Sequence, residues 1–176
     1  MTSFTDRLPR SITTERLVLA TPTLAHVADM AVLANSKAIH AVLSRLPHPY
    51  DESHGRFFVE EIARGPEEFA WVLELNGRFI GNIGLHLLPG RLPELGYWLG
   101  EPHWGQGYAS EAARAVVAAA RAAGAPALRS QALLINTASR KVLSKAGFTE
   151  IGEDTAREGT IAGQTVMQMR LEFPSR

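Results

Sequence analysis

The chain is 176 residues long, 45% hydrophobic, with 18 acidic residues against 18 basic ones and no cysteine. That length predicts one domain, residues 1–176, whose core needs neither disulfide nor metal, and the lack of cysteine removes thiolate metal sites and cysteine nucleophiles. Zero net charge without any block of like charge argues against nucleic-acid and membrane partners. With no signal-peptide core or spanning stretch, the sequence reads as soluble and cytoplasmic, with small partners.

In chain order, "TERLVLA" reads as a strand and "TLAHVADMAVLAN" as a helix, since Leu24, Val27, Ala28 and Ala31 recur at helical spacing. "SRLPHPY" is a loop. "YDESHGRFFVEEIARG" is a second helix through Phe57, Phe58 and Ile62, closed by Gly65 and Pro66. "FAWVLEL" and "RFIGNIGLHL" flank Asn76-Gly77, a strong hairpin signal, and "ELGYWLG" follows closely, which predicts an antiparallel meander. "SEAARAVVAAARAAG" is a helix whose alanines let it lie close to a sheet. "ALRSQALLI" is a strand, Asn136 to Ala146 a helix, and "GFTEIGE" and "TVMQMRLEF" two final strands joined by "AREGTIAGQ". Mixed order of this kind predicts an α+β fold.

Between the third meander strand and its helix stands "GEPHWGQGYASEA". A helix N-terminus presents free N–H groups and a partial positive charge, and Gly105 and Gly107 would let several of them converge on a diphosphate. A plain tight turn is the alternative. No lysine completes a Walker loop. Dinucleotide binding fits poorly, because Ser110 holds the third glycine position and no acidic residue ends a strand about twenty residues on.

Together, "ELGYWLGEPHWGQGYASEA", "INTASRKVLSKAGFTEIG" and "ITTERLVLA" resemble the GNAT superfamily of acyl-CoA-dependent N-acetyltransferases, in particular its RimJ/RimL-like branch. The resemblance implies a mixed, mostly antiparallel twisted sheet flanked by helices, with a splayed central strand pair. Acetyl-CoA is the implied cosubstrate. Its diphosphate would be held by the N–H groups of Trp104, Gly105, Gln106, Gly107, Tyr108, Ala109 and Ser110, and its pantetheine arm by the strand of Tyr97, Trp98 and Leu99. Asn136 would reach the coenzyme, with an ordinary helix N-cap as the alternative.

Acetyl transfer needs a neutral nitrogen, yet most amines are protonated at pH 7, so a base must take a proton and the departing thiolate needs one returned. Without a cysteine or a "GxSxG" elbow, direct transfer in a ternary complex is expected. Glu94, which opens its strand where relatives often carry a functional carboxylate, is the expected base, its pKa raised by burial; a solvated strand end is the alternative. His86 and His103 compete for that role. No histidine spacing suggests a metal site. Relatives often place a tyrosine as acid where this chain has Leu143, and Ser139, on the helix face of Asn136, is the expected substitute, against a purely local backbone role. Trp104 replaces the usual arginine or glutamine, and its ring is expected to pack in the core. Ala20 replaces a frequent arginine, and Arg140 and Lys141 are further candidates for the nucleotide phosphate.

Acceptor choice should come from "SRLPHPYDESHG", the hairpin turn and "AREGTIAG". A protein N-terminal α-amine and a small-molecule amine both remain open as acceptors. A catalytically silent acyl-CoA-binding module is the alternative function, and exposed strands at the sheet ends would allow a homodimer.

Overall fold

Two residues set the register of the central sheet. Asn76 and Gly77 both take positive φ, 51° and 77°, the geometry a two-residue hairpin demands, and join β3 (Glu68–Leu75) to β4 (Arg78–His86). In this computed structural model, which describes residues 2–174, β5 (Glu94–Leu99) continues the antiparallel meander. On the other side, β2 (Leu17–Ala20) pairs with β3, and a two-residue β1 (Ile12–Thr13) forms the edge.

The second half adds β6 (Ala127–Leu133), β7 (Thr149–Thr155) and β8 (Thr165–Glu172), giving one sheet in the order β1-β2-β3-β4-β5-β6-β8-β7. Every pairing is antiparallel except β5 with β6, which run parallel and meet at one residue pair, Glu94 with Arg129. Beyond that pair the two strands diverge, as the resemblance implied. This is the α+β sheet expected, with helices on both faces.

Alternation along the strands decides which face each helix covers. Trp71, Leu73, Ile83, Leu85 and Leu95 point to the side of α4 (Tyr108–Ala122), whose Ala112, Ala113, Val116 and Ala120 are fully buried against them. Small side chains let the helix axis approach, and Trp71 fills the space, its Nε1 donating to the Pro9 carbonyl at 2.9 Å. α5 (Thr137–Lys145) packs beside α4 through Leu143. The opposite face carries Val72, Phe79 and Trp98 against α1 (Val27–Leu33), with Met30, and α2 (Lys37–His40), with Ile39.

The helix expected over residues 50–65 is shorter and changes type. Asp51 caps α3 (Glu52–Phe57) by accepting from the N–H groups of Ser53 and His54 at 2.9 and 3.2 Å. A π-helical turn, Phe58–Ile62, then follows, closed by Ala63 N–H on the Phe58 carbonyl at 2.8 Å. The widened turn swings Phe58, Glu61 and Ile62 toward a cavity on this face. Likewise, the helix expected from residue 23 begins as a 3₁₀ turn, Leu24–His26.

Candidate active site

At the C-terminal end of β5 the chain makes a 3₁₀ turn, Glu101–His103, and then the glycine turn. Gly105 and Gly107 have φ of 73° and 84°, a left-handed conformation that side chains disfavour, and Gly107 is the N-cap of α4. Among the described residues, the N–H groups of Gly105, Gln106, Gly107, Tyr108, Ala109 and Ser110 donate to nothing in the protein; the first return bond of the helix is Glu111 N–H to the Gly107 carbonyl. Six successive free donors at the positive end of a fifteen-residue helix form an anion cradle.

The cradle is braced from behind. Arg16 donates from Nη1 to the Gln106 carbonyl at 2.8 Å and from Nε to Glu111 at 2.7 Å, and its guanidinium lies 4.5 Å from the Tyr108 ring centroid. Buried Glu111 also accepts from Thr14 Oγ1 at 2.6 Å and from Arg16 N–H at 2.8 Å. Burial pushes its carboxyl up, but the bonds from Thr14 and Arg16 outweigh this and hold it below its usual value.

Beside the cradle lies the gap between β5 and β6. Ser130 Oγ donates to the Leu95 carbonyl at 2.7 Å near the closed end, and Trp104 Nε1 to the Leu99 carbonyl at 2.6 Å near the open end. Between them, the main chain of Tyr97 makes no bond to β6. Across the gap, the Tyr97 hydroxyl meets Ser139 Oγ of α5 at 2.8 Å. Burial pushes the Tyr97 pKa up, and the Ser139 hydrogen bond only partly reverses this, so the phenol keeps its proton at neutral pH.

Tyr97 also lines the cavity on the α1–α3 side, about 730 Å³ in volume. Register places four ionisable residues in one row, the first three on its lining: Glu68 of β3 opposite His86 of β4, His86 opposite Glu94 of β5, and Glu94 opposite Arg129 of β6. Glu94 is ion-paired to Arg129, while Glu68 Oε2 lies 3.2 Å from His86 Nδ1 in a hydrogen bond. Burial pushes Glu68 up to about 7, with Arg45 opposing and Glu94 adding to the shift. His86 is lowered, by burial first and Arg45 second. Next to this row, Gly84 and Gly96 pair across β4 and β5. Gly96 sits in the middle of the sheet yet is exposed, with nothing within 4 Å of where a Cβ would stand.

A strand meander, a diverging parallel pair and a donor-rich helix start beside the gap are thus present in one chain. A family profile described as "Acetyltransferase (GNAT) domain" matches residues 16–149, which include the cradle, the gap and the row. The chain belongs to the GNAT acetyltransferase family. No curated protein matches the sequence. Solved structures do: the microcin C7 self-immunity acetyltransferase MccE in complex with acetyl-CoA and AMP aligns with a TM-score of 0.83 at 15% identity, over 95% of this chain and 98% of that one. RimL, the ribosomal L7/L12 alpha-N-protein acetyltransferase in complex with coenzyme A, aligns at 0.81 and 18%, over 94% and 97%. The spermidine N-acetyltransferase of Vibrio cholerae, with CoA and spermine, gives 0.75 and 17%, over 90% and 96%. At these identities the likeness is one of fold.

Within this GNAT domain several sequence expectations need correction. Trp104 does not join the cradle, because its N–H closes the 3₁₀ turn on the Glu101 carbonyl at 3.1 Å, and the residue is 47% exposed, not a core anchor. Asn136 spends its side-chain oxygen on capping α5, accepting from Ser139 N–H at 3.2 Å. Arg140 is bound to Glu150 at 2.8 Å and to the Leu134 carbonyl at 2.9 Å. Trp98 turns its side chain into the α1–α2 core, and its main chain pairs with Asn82 of β4, away from the gap. His86 lies in the cavity; His103 does not line it. Glu94 lines the cavity, ion-paired to Arg129, and a second carboxyl there that the sequence reading did not single out, Glu68, is raised by burial.

Of the three segments expected to face the acceptor, the hairpin turn lies outside the cavity lining, and the other two close on each other. Thr160 Oγ1 donates to the Leu43 carbonyl at 2.6 Å, and Gly159, at φ 68°, sits so close to Ser44 that a Cβ would run into its main chain. Gly159→Ala is therefore expected to cost about 2 kcal/mol through strain and overpacking, and to raise the acceptor KM as this wall opens. Thermal denaturation and steady-state kinetics check both; an unchanged KM would mean the wall does not shape acceptor binding.

Proposed function

We propose that the chain is one domain that transfers an acetyl group from acetyl-CoA directly to a primary amine in a ternary complex, on the RimJ/RimL-like side of the family. The observation that carries this reading is the row of six free N–H groups opening onto the β5–β6 gap. A diphosphate in the cradle, held by Gly105, Gln106, Gly107, Tyr108, Ala109 and Ser110, would lead the pantetheine arm along the free edge of β5 at Tyr97 toward the cavity floor, with Asn136 alongside. The acceptor, a protein N-terminal α-amine or a small-molecule amine, enters from the α1–α3 side, where Glu94 attracts its positive charge.

The leaving thiolate takes its proton from the Tyr97–Ser139 hydroxyl pair, which spans the gap and does the work of the acid absent at Leu143, itself fully buried. Those hydroxyls favour turnover over a silent coenzyme-binding module. Tyr97→Phe and Ser139→Ala are each expected to lower kcat by about 10- to 100-fold with little change in coenzyme affinity, and the double variant to fall no further than the worse single one. Steady-state kinetics decide this, and full rates in both single variants would return the pair to a structural role.

The reading as a whole is tested by thiol release from acetyl-CoA across peptides with free N-termini, amino acids, polyamines and aminoglycosides, with coenzyme-induced thermal stabilisation measured in parallel. Stabilisation with a selective acceptor is the expected result. No stabilisation by coenzyme would remove the reading altogether.

A further inference from the structure

We propose that Glu68 is the group that takes a proton from the acceptor's ammonium, in place of Glu94; this rests on the acetyl-transfer reading above. The two carboxylates stand two strands apart in one row, but they are held differently. Glu94 already holds Arg129 as its ion-pair partner. Glu68 has no lysine or arginine at ion-pairing distance among the described residues; its partner is the half-buried His86. Its carboxylate leans across β4, with Oε1 2.6 Å from where a Cβ on Gly84 would stand, so a side chain at that position would displace it. Gly84 pairs with Gly96, and Gly96 lies beside Tyr97 at the gap. A side-chain-free floor therefore connects the Glu68 carboxylate to the place where the coenzyme arm and the acceptor would meet.

Few charged groups face Glu68. His86 adjoins it along the row with Glu94 beyond, and Arg45, from the loop after α2, lines the same cavity. Glu61, Glu67 and Glu158 lie farther out on the cavity lining. Burial dominates, and the resulting pKa of about 7 suits a group that must be unprotonated when the ammonium arrives yet able to hold its proton.

Atoms balance as follows. The Glu68 carboxylate takes one proton from R–NH₃⁺; the freed nitrogen lone pair forms the C–N bond at the thioester carbonyl, and the C–S bond breaks with its electrons going to sulfur. The Tyr97–Ser139 pair protonates the thiolate, and the second nitrogen proton restores that pair. Glu68 returns its proton to solvent, so one ammonium and one thioester yield one amide, one thiol and one proton.

The test is kcat/KM against pH for the wild type, Glu68→Gln, Glu68→Asp and Glu94→Gln, using an amine of known pKa. The wild type should show an acid limb near pH 7 besides the acceptor's own ionisation. Glu68→Gln should lose about 100- to 1000-fold at pH 7, lack that limb, and recover as rising pH deprotonates the amine. Glu68→Asp should keep the limb at an intermediate rate, and Glu94→Gln should keep it with a higher KM. Folding gives an independent readout. A carboxyl raised from 4.5 to about 7 destabilises the folded state once pH exceeds its unfolded pKa, and most above 7. Glu68→Gln should therefore melt higher than the wild type at pH 8 and equal to it at pH 4, with coenzyme stabilisation intact. A Glu68→Gln enzyme that keeps the limb and a rate within threefold of wild type, or a limb lost in Glu94→Gln instead, overturns the assignment while leaving acetyl transfer in place. A wild type stabilised by coenzyme but inactive on every amine would sink both.

Discussion

Gly96→Val is expected to lower kcat/KM by about 100- to 1000-fold while leaving the melting temperature unchanged or slightly raised. The two effects have opposite signs because Gly96 is kept for what must pass over it and not for its backbone. Its φ is not in the left-handed region, and a Cβ there would meet nothing. Valine suits a central strand, and replacing glycine removes unfolded-state freedom worth about 0.5–1 kcal/mol. Its two methyl groups would nevertheless stand on the open floor between Glu68 and the gap, where the nitrogen must come within about 3 Å of the thioester carbon. Kinetics with a responsive amine, alongside calorimetry, give the comparison. A variant with normal kcat/KM would show that acceptor and coenzyme meet elsewhere.

Gly107→Val should weaken coenzyme binding by about 100-fold, the loss expected when two charge-assisted N–H contacts of roughly 1.5 kcal/mol each are spoiled. Here stability falls as well. At φ 84°, a β-branched residue costs about 2 kcal/mol, and its Cβ would stand 3.3 Å from Arg16 Nη2, pressing on the brace behind the turn. Gly124→Val separates the two contributions: its φ is 91°, at the other end of α4, so the strain is similar and coenzyme affinity should not change. Titration calorimetry with coenzyme A reads the affinities. Equal weakening in both variants would make the effect one of folding alone.

Much of this architecture was legible because its signals are local. Asn76-Gly77, the alanine-rich helix, and Gly105 with Gly107 each announce a conformation through residues next to one another, and the element order followed. β1 and α2 escaped because two and four residues are too few to show a period. The π-helical turn at Phe58–Ile62 escaped because its residues keep an ordinary helical pattern.

The catalytic surroundings were less legible for a different reason. Glu68, His86, Glu94 and Arg129 form a row only through the registers of three strand pairings, and each alone looks like a polar strand end. Resemblance points to Ser139, and to Tyr97 only as backbone for the coenzyme; that their hydroxyls meet, across 42 positions of sequence, shows only in the assembled fold. Arg16, the brace of the cradle, carried no signal beyond its place at the start of a strand. Residues whose role depends on what stands opposite them are silent until the sheet is assembled.

The contact of Gly159 and Thr160 with Leu43 and Ser44 makes this side of the cavity a joint product of two loops more than a hundred residues apart. With the acceptor entering there as proposed, its preference is inherited in pairs. A chimera that exchanges only residues 41–50, or only residues 156–164, brings a loop whose counterpart was shaped for another neighbour, and retargeting the enzyme to a new amine requires moving both together.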